Sequence, residues 1–262
     1  MPYVLSLEDA WAKLERAHAH VEHLRVEVKK RWRAEFKMVI PLVRQLDAEQ
    51  GAVVYRVDPH LEIPKDWPLV VGDALHNFRA SLDYLAWQLA LKRFEGHNPP
   101  QSLIRHIVFP ILSSSDKWPG RVKDWAASED MDGIRYFMPF ELKTGSQAHE
   151  LTALESLARL SNIDKHRRLN LFFFSPHNVR IVSHGMKPLI NEHLRVPGAG
   201  VSAGDEVFRV HVGGTDTDLC ADFDPQLTGL IAINESRWEV FSTLDTIGRA
   251  IAQILCAFQP SS

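Results

Sequence analysis

Two patches concentrate the side chains capable of chemistry. The first lies in DWPLVVGDALHNFRASLDYLAWQLALKRF (66–94), where Asp73, His76, Asn77, Arg79, Asp83 and Tyr84 crowd into about three turns of helix. The second is Asn162-Ile163-Asp164-Lys165-His166-Arg167-Arg168. An imidazole near neutral pH can take a proton from a 2′-hydroxyl, and a guanidinium or ammonium can stabilise a developing phosphorane. Metal-independent RNA cleavage therefore names His76, Arg79 and His166 as catalytic candidates. Binding without chemistry draws on Asp73, His76, Asn77, Arg79, Asp83, Asn162, Asp164, Lys165, His166 and Arg167, with Arg79 and Arg167 holding an anion. Asp73, His76, Asn77, Asp83 and His166 also offer O and N ligands of the kind that helix bundles present to metals. Arg79 in their midst repels a cation, and neither HExxH nor a pair of Glu-x-x-His motifs occurs, so no metal or cofactor is assigned. The plainest reading is a polar network with a binding or structural role. In it Asp83 holds Arg79, Asn77 and His76 bond backbone of a neighbouring element, and the second patch supplies counter-charges.

The elements that must position these groups follow from periodicity. Ala74, Phe78, Leu82, Leu85 and Leu89 share one side of a helix expected over 66–94, with Asp66 as its cap and Pro68 in its first turn. A helix with a Ser6/Asp9 capping box is expected to about Arg33. Its seam is Leu7, Trp11, Leu14, His18, Val21, Arg25, Val28 and Trp32. Acidic Glu8 and Asp9 at its start and basic Lys29, Lys30, Arg31 and Arg33 at its end suit the helix dipole. His18, His20 and His23 resemble a metal tract, but positions two apart diverge on a helix, and a solvated surface is expected. A hairpin is read near 36–57, and an irregular stretch over 113–146 of the kind that lids or wraps a core. A second motif helix runs over about 147–165. Strands are expected at 169–175 paired with 179–183, at 207–212 paired with 219–223, and at 227–233, before a last helix capped by Asn234. The architecture is α+β, with long helices packed together and a mostly antiparallel C-terminal sheet. The organisation is a single domain over 1–262, with a helical part to about 168, strands over 169–233 and a C-terminal helix over 234–258.

The totals exclude several classes. The 262 residues are 45% hydrophobic and 24% charged with a formal charge of −3, so no global charge draws nucleic acid or anionic membrane. Cys220 and Cys256 make no disulfide framework, which points to a reducing, cytoplasmic setting. MPYVLSLEDAW lacks the pattern of a signal peptide, and no run of about 18 apolar residues suggests a membrane span. P-loop, GxGxxG and GxSxG motifs are absent, and Gly213-Gly214 reads as a hairpin turn.

The segments GDALHNFRASLDYLAWQLA and LARLSNIDKHRRL, together with FPI and YFMPF, resemble a family of uncharacterised actinobacterial and phage proteins over roughly residues 1–170. The motifs of that family read GDxLHNLRxxLDHL and NxDKHR. Tyr84 stands where the family often places His, a residue that would complete an Arg-x4-His spacing similar to HEPN-like helical nucleotide-binding and RNase domains. Arg159 and His166 have an Arg-x6-His spacing of the same loose type. The resemblance implies a HEPN-like ribonuclease or nucleotide-binding domain as the alternative function. It also implies a homodimer through the central helix, with nucleotide or RNA as partner.

Overall fold

Apolar side chains at three- and four-residue intervals, with no proline beyond the first turn, make residues 67–93 one helix. In the computed structural model this is α2 (Trp67–Arg93), and Ala74, Phe78, Leu82, Leu85 and Leu89 are all wholly buried. The structure describes residues 3–32, 38–142, 152–167, 169–174, 180–183, 193–194, 200–211, 223–233 and 238–259. Its contacts divide the chain into two compact units, one formed by residues 1–24, 68–169 and 241–262 and the other by 25–67 and 170–240.

The first unit is helical. It contains most of α1 (Glu8–Trp32), α2, the short α3 (Gln101–Ile104), α4 (Ser128–Tyr136), α5 (Pro139–Leu142), α6 (Ala153–His166) and α7 (Val240–Ala257). The buried stripe of α1 is Leu7, Ala10, Leu14, Ala17, Val21 and Leu24, so the expected seam is turned by one position away from Trp11, His18 and Arg25. The alanines are the reason. They leave room for α2 to come close, and the buried Ser81 hydroxyl donates to the Ala10 carbonyl at 2.8 Å. His18 meets the Phe78 ring edge-on at 5.6 Å between centroids, and the bare backbone of Gly248 on α7 accommodates its other side. Among the described residues α7 is the helix long and apolar enough to cross a membrane. Its Leu244, Ile247, Ile251 and Leu255 are wholly buried in the protein, while Asp245 and Arg249 fall on the opposite side, the pattern of a core helix.

The second unit carries the strands, and every pairing in it is antiparallel. The hairpin of β2 (Leu42–Asp47) and β3 (Ala52–Val57) turns at Gly51, whose positive φ of 57° suits a residue without a Cβ. It continues through β8 (Glu206–His211) to β6 (His193–Leu194). Arg209 on β8 locks this sheet, donating to Asp47 at 2.7 Å and to both Glu206 oxygens at 2.8 and 2.9 Å. The long β9 (Phe223–Ile233) organises a second sheet, pairing with β1 (Met38–Ile40), β4 (Leu171–Phe174), β5 (Arg180–Ser183) and β10 (Trp238–Glu239), while β4 also pairs β7 (Gly200–Val201). The α+β class therefore holds, with three differences. β4 and β5 lie along successive stretches of β9 instead of pairing with each other. The hairpin joins a sheet with the later β8. Trp238 extends a strand and does not begin the last helix. The reason is common to all three: strand partners are chosen by long-range register, which local alternation does not encode. Residues 212–222, 234–237 and 143–151, with the expected Leu219 strand start, Asn234 cap and beginning of the second motif helix, lie outside the described residues.

A Cβ on Gly248 would lie 2.5 Å from His18 Cε1 and 3.2 Å from Phe78 Cε1. Gly248→Ala is therefore expected to cost about 1–3 kcal/mol of stability, measured by denaturant unfolding, and His18→Ala in the same chain should recover part of that loss.

Candidate functional site

The two sequence patches meet within the helical unit, and Gly72 is what lets them. A Cβ there would lie 2.7 Å from Asp164 Oδ1, so the carboxylate of α6 rests against the bare backbone of α2. The start of α6 is fixed by a capping box: Thr152 accepts from the Glu155 N–H, and the Glu155 side chain accepts from the Thr152 N–H. Leu154, Leu157 and Leu160 bury one side of α6, which sets the direction of Ser161, Asn162, Asp164 and Lys165.

On α2, Arg79 and Asp83 are one turn apart and form a bidentate pair, Nε to Oδ2 at 3.2 Å and Nη2 to Oδ1 at 3.0 Å. Their more telling work is on the main chain of another segment. Arg79 Nη2 donates to the Phe109 carbonyl at 2.6 Å, and the Phe109 N–H donates to Asp83 Oδ1 at 3.0 Å. Phe109 lies in neither helix nor strand, its side chain is wholly buried and Pro110 follows, and among the described residues no strand pairs with this backbone. A guanidinium and a carboxylate take the strand's place.

The latched segment forms one wall of a cleft of about 650 Å³. Leu103, Ile111, Leu112 and Ala158 supply apolar surface over the buried Phe109 and Trp125, and Arg79, Arg105, Arg121 and Lys165 face Asp83 and Asp124 as its charges. With Arg79 and Asp83 neutralising each other, Arg105, Arg121 and Lys165 outnumber Asp124. Among the described residues Arg121 and Lys165 make no ion pair, whereas Arg105 Nε donates to His106 Nε2 at 3.2 Å. A smaller compartment of about 230 Å³ adjoins it, sharing Arg79, Asp83, Ser161 and Lys165 and adding His76, Tyr84 and Asp164. Ser161 borders both compartments, is only 6% exposed, and its hydroxyl has no hydrogen-bond partner among the described residues. Burial against Gly72 pushes the Asp164 carboxyl up; the negative charge of Asp73 adds to that shift, and His76 opposes it.

The expected residues distribute unevenly. Arg79, Asp83, Asn162 and Lys165 line the large compartment, and His76, Arg79, Asp83, Asp164 and Lys165 the small one. Asp73 is exposed outside both and acts on Asp164 through its charge. Asn77 bonds its own helix, donating to the Asp73 carbonyl at 2.8 Å, and not the neighbouring element expected of it. His166 and Arg167 are exposed and border neither compartment. Arg79 and Asp83 are compensated by each other and by the Phe109 main chain, and the second patch acts on α2 through Asp164, which feels the charges of Asp73 and His76. Among the described residues no group of three or more His, Cys, Asp or Glu side chains gathers to hold a metal ion. Sequence reasoning missed Arg105, Arg121, Trp125 and Ser161. Arg121 and Trp125 sit in the 113–146 stretch, whose signal was only irregularity, and Arg105 in the 104–112 run before it, which reads as extended; Ser161 precedes the second patch and looks like an ordinary helix residue.

No protein-family model, curated protein or solved structure matches the chain.

Asp83→Ala leaves Arg79 and the Phe109 N–H without their acceptor, and a loss of about 2–3 kcal/mol is expected in denaturant unfolding. Asp83→Asn keeps an acceptor and should lose less. Asp164 behaves oppositely. Its folded carboxyl titrates above the unfolded one, so its contribution to stability is full below the unfolded pKa and falls away as pH rises through the folded pKa. Asp164→Asn should therefore raise the melting temperature at pH 7, and that gain should vanish near pH 4.

Proposed function

We propose that the helical unit binds a phosphate-bearing ligand of nucleotide size in the cleft bordered by α2, α6 and the 103–125 segment. The observation that carries this reading is the buried, unpartnered Ser161 hydroxyl at the junction of the two compartments. A buried hydroxyl without a partner is uncommon, and an anion's oxygen would supply its acceptor. The surroundings suit the same ligand. The volume falls in the usual range for small-molecule sites, Leu103, Ile111 and Leu112 offer a face to a flat apolar group, and Lys165, Arg121 and Arg105 attract negative charge. The Arg79–Asp83 pair builds the wall and is not available to the ligand as a free cation. This agrees with the nucleotide-binding side of the HEPN-like resemblance carried by the two motifs.

One observation favours a second reading, metal-independent cleavage of RNA: His76, Asp164 and Lys165 border the same small compartment. His76 would take the 2′-hydroxyl proton, Lys165 would face the phosphorane, and the leaving 5′-oxygen would take its proton from water. His166, outside the compartment, drops out of this scheme.

Titration calorimetry with AMP, ADP and ATP tests the first reading. Binding to the wild-type protein is expected, weakened about tenfold or more by Lys165→Ala and again by Arg121→Ala, and weakened by salt. Absence of binding by all three nucleotides would overturn it. Incubation with single-stranded RNA in EDTA tests the second: cleavage abolished by His76→Ala supports it, and intact RNA rejects it.

A further inference from the structure

A second orphaned polar atom lies elsewhere in the helical unit. Asp130, at the start of α4, has a side chain only 8% exposed, and its Oδ1 accepts from Lys92 Nζ at 2.8 Å. Its Oδ2 is buried and receives no hydrogen bond from the described residues. Asp130 borders a cavity of about 500 Å³, apart from the residues of the cleft described above. The other walls are the N-terminal segment Tyr3, Val4 and Leu5, together with Ala257 and Phe258 at the end of α7 and Gly133 on α4. Glu129 stands at the rim, 3.5 Å from the same ammonium and 70% exposed.

These groups define what would fit. Two carboxylates face one ammonium, which leaves one negative charge over. A carboxylate oxygen offers two lone-pair sites and, when buried, ordinarily accepts at least one hydrogen bond, so a donor is missing at Oδ2. An anion is repelled by this arrangement. A hard divalent ion wants six or more oxygens, and the Lys92 ammonium already occupies the one buried carboxylate. A single organic ammonium group meets each requirement: it brings N–H donors and one positive charge. Its hydrocarbon body would lie against Val4, Leu5 and the rings of Tyr3 and Phe258, with a cation–π contribution from the rings. The Phe258 ring is held where it is needed by Gly133, where a Cβ would lie 2.9 Å from Cζ.

We propose that this cavity is a binding site for an alkylammonium group, with the Asp130 carboxylate as its acceptor and Glu129 as its rim charge. The site is independent of the nucleotide reading. The test is titration calorimetry on the full chain with n-butylammonium and putrescine, against sodium butyrate at matched ionic strength. Saturable binding of at least one amine, with none of butyrate, is expected. Asp130→Asn should weaken it about tenfold or more, the loss of a charge-assisted hydrogen bond. Because that change also removes the partner of Lys92 and threatens folding, Val4→Trp serves as the second variant. Val4 is 77% exposed, and an indole there obstructs the cavity without touching the core; it should block the amine as well. Lys165→Ala should leave amine binding unchanged. No amine binding to the wild-type protein, the result if a water alone fills the place beside Oδ2, overturns the proposal. So does binding that survives both variants, or that butyrate matches.

Discussion

The latch between Arg79, Asp83 and the main chain of Phe109 is the interaction on which the candidate site depends. A segment in neither helix nor strand, packed against helices, has backbone donors and acceptors that no strand satisfies, and burying them unpaired is costly. One helical turn carrying a guanidinium and a carboxylate meets both groups of Phe109 at once. Because the pair is bidentate and held by a rigid helix, the segment it secures is set in place, and with it the wall bearing Leu103, Arg105 and Ile111. The residues that look most reactive in the sequence are in this sense architectural. The groups left free for a ligand, Lys165 and Arg121, stand beside them.

Packing elsewhere in the helical unit follows the same economy, in which close approach is made by omission. Gly72 admits the Asp164 carboxylate, Gly248 admits the His18 ring, and Gly133 admits Phe258. Ala10 and Ala17 let α1 settle close enough for Ser81 to reach a main-chain carbonyl. Each contact joins a small residue on one helix to a polar or aromatic one on another, which fixes the register of the bundle more tightly than apolar burial alone. Against that background the unpartnered oxygens of Ser161 and Asp130 stand out. Both border cavities, and their requirements are opposite: a hydroxyl beside cations suits an anion, while a carboxylate with charge to spare suits a cation.

Much of this was legible in the linear pattern. Helical periodicity identified α2 and five of its buried residues, Ala74, Phe78, Leu82, Leu85 and Leu89, and the i,i+4 spacing of Arg79 and Asp83 was sufficient to predict their pairing. The two patches, dense in charge beside apolar stripes, marked the helices that meet. Local spacing did not reveal what Arg79 and Asp83 hold, because the partner is a main chain 26 or more residues away, whose carbonyl and N–H every residue possesses. Nor did it reveal the strand partners of β9, or which side of α1 is buried when two overlapping stripes are both plausible.

What the sequence determined by itself, then, is the long helices, the α+β class and the location of its dense polar groups, since these depend on neighbours three or four positions apart. Tertiary structure alone decided which charges are consumed in holding the chain and which remain exposed to a ligand. That distinction turns on distances between elements far apart in the chain: the approach at Gly72, the reach of Arg79 to Phe109, and the absence, among the described residues, of any partner within reach of Ser161 Oγ and Asp130 Oδ2.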